Sequence, residues 1–254
     1  MRPPSRLLRS WPARAGDDAA LRVRGKPENG PVSAWRFSSL KDYSPLLLAE
    51  LSILLPGLIL PPLASQVPLS QVCRTINLCA GSASPWGVIT SIFLYDDWSN
   101  FVLLALTLII FISVHSILPG HEKRRRATYC AAAMFACAIT ANTMFILVYP
   151  HLDSFGPSGV MYAFLGGLIG FAVLNMIHAT RGTGYEGSTD RRRSAMMLNG
   201  VIVVLVPLFF FFDPTGFLSA SMHANAFVHG ISLVGGLFSA SIYEIPRTSK
   251  SGIR

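Results

Sequence analysis

Six apolar stretches, at residues 45–65, 99–118, 129–149, 159–177, 196–212 and 224–243, dominate this chain and narrow its possible folds to one kind. An α-helix rises 1.5 Å per residue, so about 20 apolar residues are what the roughly 30 Å hydrocarbon core of a bilayer demands. Backbone amides placed in hydrocarbon must be satisfied within their own segment, which makes each run a helix. The composition agrees: 51% of the 254 residues are hydrophobic and 13% are charged, against about a quarter charged in ordinary soluble domains. With a mean hydropathy of +0.47, the chain reads as an all-α polytopic membrane protein with six spans. The first run is the least regular, carrying Glu50, Pro56 and Pro61. Trp86, Tyr95 and Trp98, ahead of the second run, are aromatic residues suited to a membrane interface.

The charges set the orientation. Of 21 Lys and Arg residues, all but Arg74 fall in alternate polar segments: the tail 1–44, the stretch 121–126, the stretch 181–193 and the tail 245–254. Basic loops stay on the cytoplasmic side, so both termini are expected there, in a multi-pass protein of the cell membrane. A net charge of +8 does not imply nucleic acid, because a nucleic-acid reader gathers its basic residues on one folded face. The lipid bilayer, with its anionic headgroups, is a sufficient partner. The division expected is a basic, disordered tail over 1–44, a membrane domain over 45–244 and a short tail over 245–254. The opening of the tail, rich in arginine up to Arg14, resembles an organelle transit peptide until Asp17 and Asp18 interrupt it, so an organelle inner membrane is the alternative location. Between the spans, 121–126 reads as a basic turn.

Cys73 and Cys79 lie in a polar segment on the outer side, where their spacing permits a bridge; Cys130 and Cys137 lie within a span. No metal-ligand spacing occurs among them, and neither a metal nor a cofactor is expected.

The chemistry is expected at Gly156-Pro157-Ser158-Gly159-Val160-Met161-Tyr162-Ala163, at the head of the fourth run. A serine flanked by glycines at a helix start is open to close backbone approach, and helix N-terminal N–H groups can hold an anion beside it. Ser158 is therefore either a nucleophile or simply the N-cap of its helix. His229, in the sixth run, is costly inside a membrane unless it faces a partner or water. On a helix His229, Ser232, Gly236 and Ala240 share one face, and Gly159, Ala163, Gly166 and Gly170 form a similar small stripe. Small faces let two membrane helices approach closely. His229 is then either the base that takes the Ser158 proton or a histidine hydrogen-bonded within a packed bundle.

The pattern Gly156-x-Ser158-Gly159-Val160-x-Tyr162-Ala163-x-x-Gly166 resembles the fourth-helix motif of the rhomboid intramembrane serine proteases, and His229 with Gly236 seven residues later resembles their sixth-helix motif. The resemblance covers residues 85–244 and implies a six-span, rhomboid-like bundle with cytoplasmic termini. It implies a serine endopeptidase acting through a Ser158–His229 dyad without an acidic third member. Transmembrane protein substrates, cut near their outer membrane edge, would be its partners. Gly156, Gly159 and Tyr162 would support the dyad, with the Tyr162 ring packed on the histidine. The family's oxyanion donors at the start of helix two are histidine and asparagine; aligned there, this chain offers Asn100 and Leu104. Trp86 is followed by Gly87 where the family has arginine, and Ser232 stands at a position usually glycine. The altered helix two keeps a second reading open, an inactive rhomboid-like protein that binds membrane helices. Transport is a third, suggested only by Glu50 and the prolines of the first run.

Overall fold

The computed structural model of the chain describes residues 40–64, 71, 79–81, 85–94, 98–116, 118–181, 189–212 and 223–251. Expectations for residues 1–39, for Cys73 and for the loop 213–222 lie outside them. The described residues are all-helical, apart from one isolated antiparallel bridge between Ala80 and Ser154. After a 3-10 turn at Leu40–Tyr43 come α1 (Ser44–Ala64), the short α2 (Gly87–Thr90) with a 3-10 turn Ser91–Phe93, and α3 (Trp98–His115). Then follow α4 (Gly120–Val148), α5 (Ser158–Arg181), α6 (Thr189–Phe212) and α7 (His223–Ser251). Among the described residues, three stretches, Gly120–Val148, Ser158–Thr180 and Ala226–Glu244, are long and apolar enough to cross a membrane, and Phe101–His115 is apolar but shorter.

The central helix is α5. In its most apolar window 67% of the residues are buried, against 28% in α4 and 33% in α7, so the others pack around it. Their outward faces stay apolar, as at Val102, Leu106 and Ile109 of α3 and Val201, Val204 and Leu208 of α6. Apolar faces turned outward suit a hydrocarbon solvent.

The closest packing is between α5 and α7, which run in the same direction. A Cβ on Gly166 would overlap the Leu233 carbonyl oxygen, and one on Gly236 would overlap the Ala163 carbonyl oxygen. Farther along, a Cβ on Gly170 would come within 2.6 Å of Ala240 Cβ. The two small stripes of the sequence therefore meet, backbone to backbone. Helices so close gain dispersion contacts that larger side chains would forbid.

The stretch 121–126 is not a turn but the opening of α4. The Pro119 carbonyl accepts the N–H groups of Glu122 and Lys123, each at 3.0 Å. Arg126 then turns inward, fully buried, donating from Nε to Glu122 Oε1 at 3.0 Å and from Nη1 to Asn175 Oδ1 at 2.7 Å. Asn175 Nδ2 donates to Asn199 Oδ1 at 3.1 Å, and the Tyr243 hydroxyl donates to Glu122 Oε1 at 2.9 Å. Arg126 Nη2 also lies 3.7 Å from Glu244 Oε1, and Glu244 Oε2 lies 3.7 Å from His178 Nε2. Burying charge costs several kcal/mol per ion (about) unless such bonds replace the lost water, and here they tie α4, α5, α6 and α7 together. With Glu244 engaged, α7 continues helical to Ser251, through most of the segment read as a tail.

Candidate active site

Ser158 is delivered by the loop between α4 and α5. Ser154 exchanges both backbone hydrogen bonds with Ala80, at 2.8 and 2.9 Å, and the Gly156 N–H donates to the Ser91 carbonyl at 2.9 Å. Gly156 has φ of +115°, a conformation that side-chain-bearing residues rarely adopt. This turn reverses the chain and allows α5 to start at once. The first intrahelical bond runs from the Met161 N–H to the Pro157 carbonyl at 3.0 Å. Pro157 is thus the cap residue and Ser158, half-buried, is the first residue of the helix. The N-cap alternative for Ser158 therefore does not describe this helix. The N–H groups of its first turn have no acceptor within the helix and project toward the loop end.

One turn along, the Tyr162 ring stacks on the His229 imidazole, with centroids 4.2 Å apart and planes at 27°. Both are buried, at 6% and 9% exposure. A Cβ on Gly159 would meet Ser232 Oγ and Val228 Cγ1 at 3.4 Å and Ala138 Cβ at 3.5 Å. Gly159 follows Ser158, while Val228 and Ser232 flank His229 along α7. These contacts set the start of α5 against the turn of α7 that carries His229.

At the helix-two position, Leu104 is fully buried in the apolar core and has no donor to offer. Asn100 belongs to α3, but its side chain lies outside the described residues. Gly156 lies at the turn before α5 and Gly159 at the contact between α5 and α7.

Two residues of the site went unremarked in the sequence. Asn142 of α4 is buried, and its Nδ2 donates to the Val88 carbonyl and to Ser91 Oγ, both at 3.1 Å. Through Ser91 it holds the segment that receives Gly156. A lone asparagine inside an apolar run is a signal that could have found it, because a polar group there needs a partner. Ser154 was invisible, since nothing local marks a residue that pairs with a distant segment. Ser232 has a fully buried hydroxyl with no hydrogen-bond partner among the described residues, although a helical serine can bond back to its own turn.

No family model, no curated protein and no solved structure matches the chain. Motifs and geometry carry the functional reading.

Proposed function

We propose that the protein is an intramembrane serine endopeptidase of the rhomboid type, with six spans and cytoplasmic termini, that cleaves transmembrane proteins near their outer membrane edge. Ser158 attacks the peptide carbonyl, His229 accepts its proton and returns it to the leaving amine, and water then hydrolyses the acyl-enzyme. The observation that carries this reading is the stack of Tyr162 on His229 one turn below the first residue of α5. It supports a role for the imidazole beside the first turn of α5, whose N–H groups have no acceptor within the helix and would suit an oxyanion. The six long helices, α1 and α3–α7, fall on the six apolar runs of the sequence, in keeping with the six-span topology.

A second reading, an inactive relative that binds membrane helices, is favoured by one observation. Leu104, which aligns with an oxyanion donor of the family, is buried hydrocarbon. Loss of one such donor costs about 10²- to 10³-fold in rate, so the enzyme is expected to be slow. The two readings separate on a fluorophosphonate probe applied to purified protein. The parent should be labelled, and Ser158→Ala and His229→Ala should each abolish labelling. A folded parent that takes no label is the inactive relative, and a label that survives Ser158→Ala lies on another nucleophile.

A further inference from the structure

Glu50 is the single charged residue of α1, and it lies on the face that the helix buries. Leu46, Glu50 and Ile53 fall along one side of a helix, and all three are buried, with exposures of 0%, 1% and 0%. Leu48, Leu51 and Leu55, on the opposite side, are exposed. The carboxyl thus sits in the middle of an apolar stripe, where a leucine would continue the pattern. Neither of its oxygens has a hydrogen-bond partner among the described residues. The other buried carboxyl groups among those residues differ: Glu122 and Glu244 face Arg126 at 3.0 and 3.7 Å.

The elements packed against α1 offer this carboxyl no cation. α1 leans on α4, on its own leading turn Leu40–Tyr43 and on the turn Ser91–Phe93. From α4 the group within electrostatic reach is the Cys130 thiol, itself buried and free. The charged residues of α4 all lie ahead of it, from Glu122 to Arg126, and Arg126 is held by Glu122, Asn175 and Glu244. The turn Ser91–Phe93 carries no titratable side chain. In the leading turn Lys41 and Asp42 stand before the helix begins, and the Tyr43 hydroxyl is engaged, donating to the Ile112 carbonyl at 3.3 Å. A carboxylate in such a place is far costlier than a neutral acid, because nothing replaces the water it has lost.

We propose that Glu50 is a proton-binding site, and that the proton it holds latches α1 onto α4. With the proton in place, the stripe of Leu46, Glu50 and Ile53 packs as a surface without charge. Removing the proton leaves an unpaired charge between two helices, and α1 moves off α4 until water reaches the carboxylate. The head of the helix, at Ser44, is only about 9 Å away at 1.5 Å per residue. The docked state binds one proton more than the released one, so docking weakens as pH rises. A carboxylate held by a salt bridge would show the opposite sign, gaining stability as it ionises. For one linked proton the docking equilibrium changes by up to about tenfold per pH unit. The latch is independent of the reading of Ser158 as a nucleophile.

The test uses the full chain in detergent micelles between pH 6 and pH 10, with Glu50→Gln and Glu50→Leu as forms that cannot ionise at that position. Infrared spectroscopy follows the proton: at pH 6 the parent should show a carboxylic-acid carbonyl band that both variants lack, and the band should fade as pH rises. N-ethylmaleimide follows the docking, because Cys130 lies beside Glu50 on the covered face of α4, and site-resolved mass spectrometry reads its rate of alkylation. The rate in the parent should match the variants at pH 6 and exceed them by about tenfold or more at pH 10. Comparison at equal pH removes the thiol's own ionisation from the result. A carboxylate that stayed in place would only slow the thiol, so acceleration reports release. Should Glu50→Gln fail to fold, Glu50→Leu, which completes the apolar stripe, supplies the same comparison. Carboxylate bands in place of the acid band at pH 6 would mean that Glu50 is ionised and paired, and they overturn the proposal. Alkylation that stays equal in parent and variants up to pH 10 overturns the latch, whatever the band does.

Discussion

The pair formed by α5 and α7 meets a different chemistry at each end. Toward their C-termini, Arg126 of α4 sits between Glu122, Asn175 and Glu244, and its guanidinium carbon lies 5.0 Å from the centre of the Phe171 ring. Asn175 passes the network on to Asn199, and Asn199 Nδ2 donates to its own helix at the Ala195 carbonyl, 2.6 Å away. Toward their N-termini, about 25 Å away at 1.5 Å per residue, the polar groups are few. There a histidine rests on a tyrosine ring, and the buried Ser232 hydroxyl has no partner among the described residues. One end bonds its polar groups to one another and gains rigidity; the other keeps a hydroxyl uncommitted and relies on close backbone contact. If the proposed dyad works there, such a scaffold holds it still without using its own groups to do so.

The comparison breaks most severely if the contact shared by both ends is removed. In Gly236→Val the new side chain must collide with the Ala163 backbone, where no flexible group can yield. The expected loss exceeds about 4 kcal/mol, so the variant should yield little monodisperse protein on size-exclusion chromatography, and both ends should fail together. Normal yield and full labelling would mean that the two backbones are not in contact.

Arg126→Ala comes next and strikes one end only. It strands the Glu122 carboxylate and the Asn175 amide in a buried setting, a loss of roughly 3 to 5 kcal/mol. Denaturant titration should show the drop, while the fraction that remains folded should label at Ser158 within a factor of about three of the parent. Equal losses of stability and labelling would show that the ends are coupled after all.

Ser232→Ala is the mildest. An unpartnered buried hydroxyl costs about 1 to 3 kcal/mol, so its removal should raise stability by about 1 kcal/mol, read from the same titration. A clear loss would show that the hydroxyl has a partner in the folded protein.

The two ends also differed in how far the sequence revealed them. The glycine stripes of α5 and α7 are legible because close helix contact leaves a repeat at helical spacing, and Ser158 and Tyr162 lie within one such motif. Arg126 was hidden among its neighbours. In a run of four basic residues every member serves topology equally well, and only Glu122 four residues earlier and the inward asparagines mark Arg126 as the one that turns in. Leu104 illustrates the reverse: its apolar side chain is plain in the sequence, and the structure adds that it is buried in the core. The pairing of Ala80 with Ser154 was beyond reach, because pairing between remote segments follows from the assembled bundle and not from any local pattern.

The Arg126 network also bears on how such a chain is made. Its members appear in the growing polypeptide at widely spaced times: Asn175 is 49 residues beyond Arg126 and Tyr243 is 121 beyond Glu122. At about 5 to 20 residues per second, the arginine waits roughly 6 to 24 s for its last partners. During that interval Glu122, one turn away in the same helix, is its companion. A nascent chain that stops before α7 would retain a half-paired charge at the heart of its bundle. That makes the last helix the step at which a finished molecule becomes distinguishable from a truncated one.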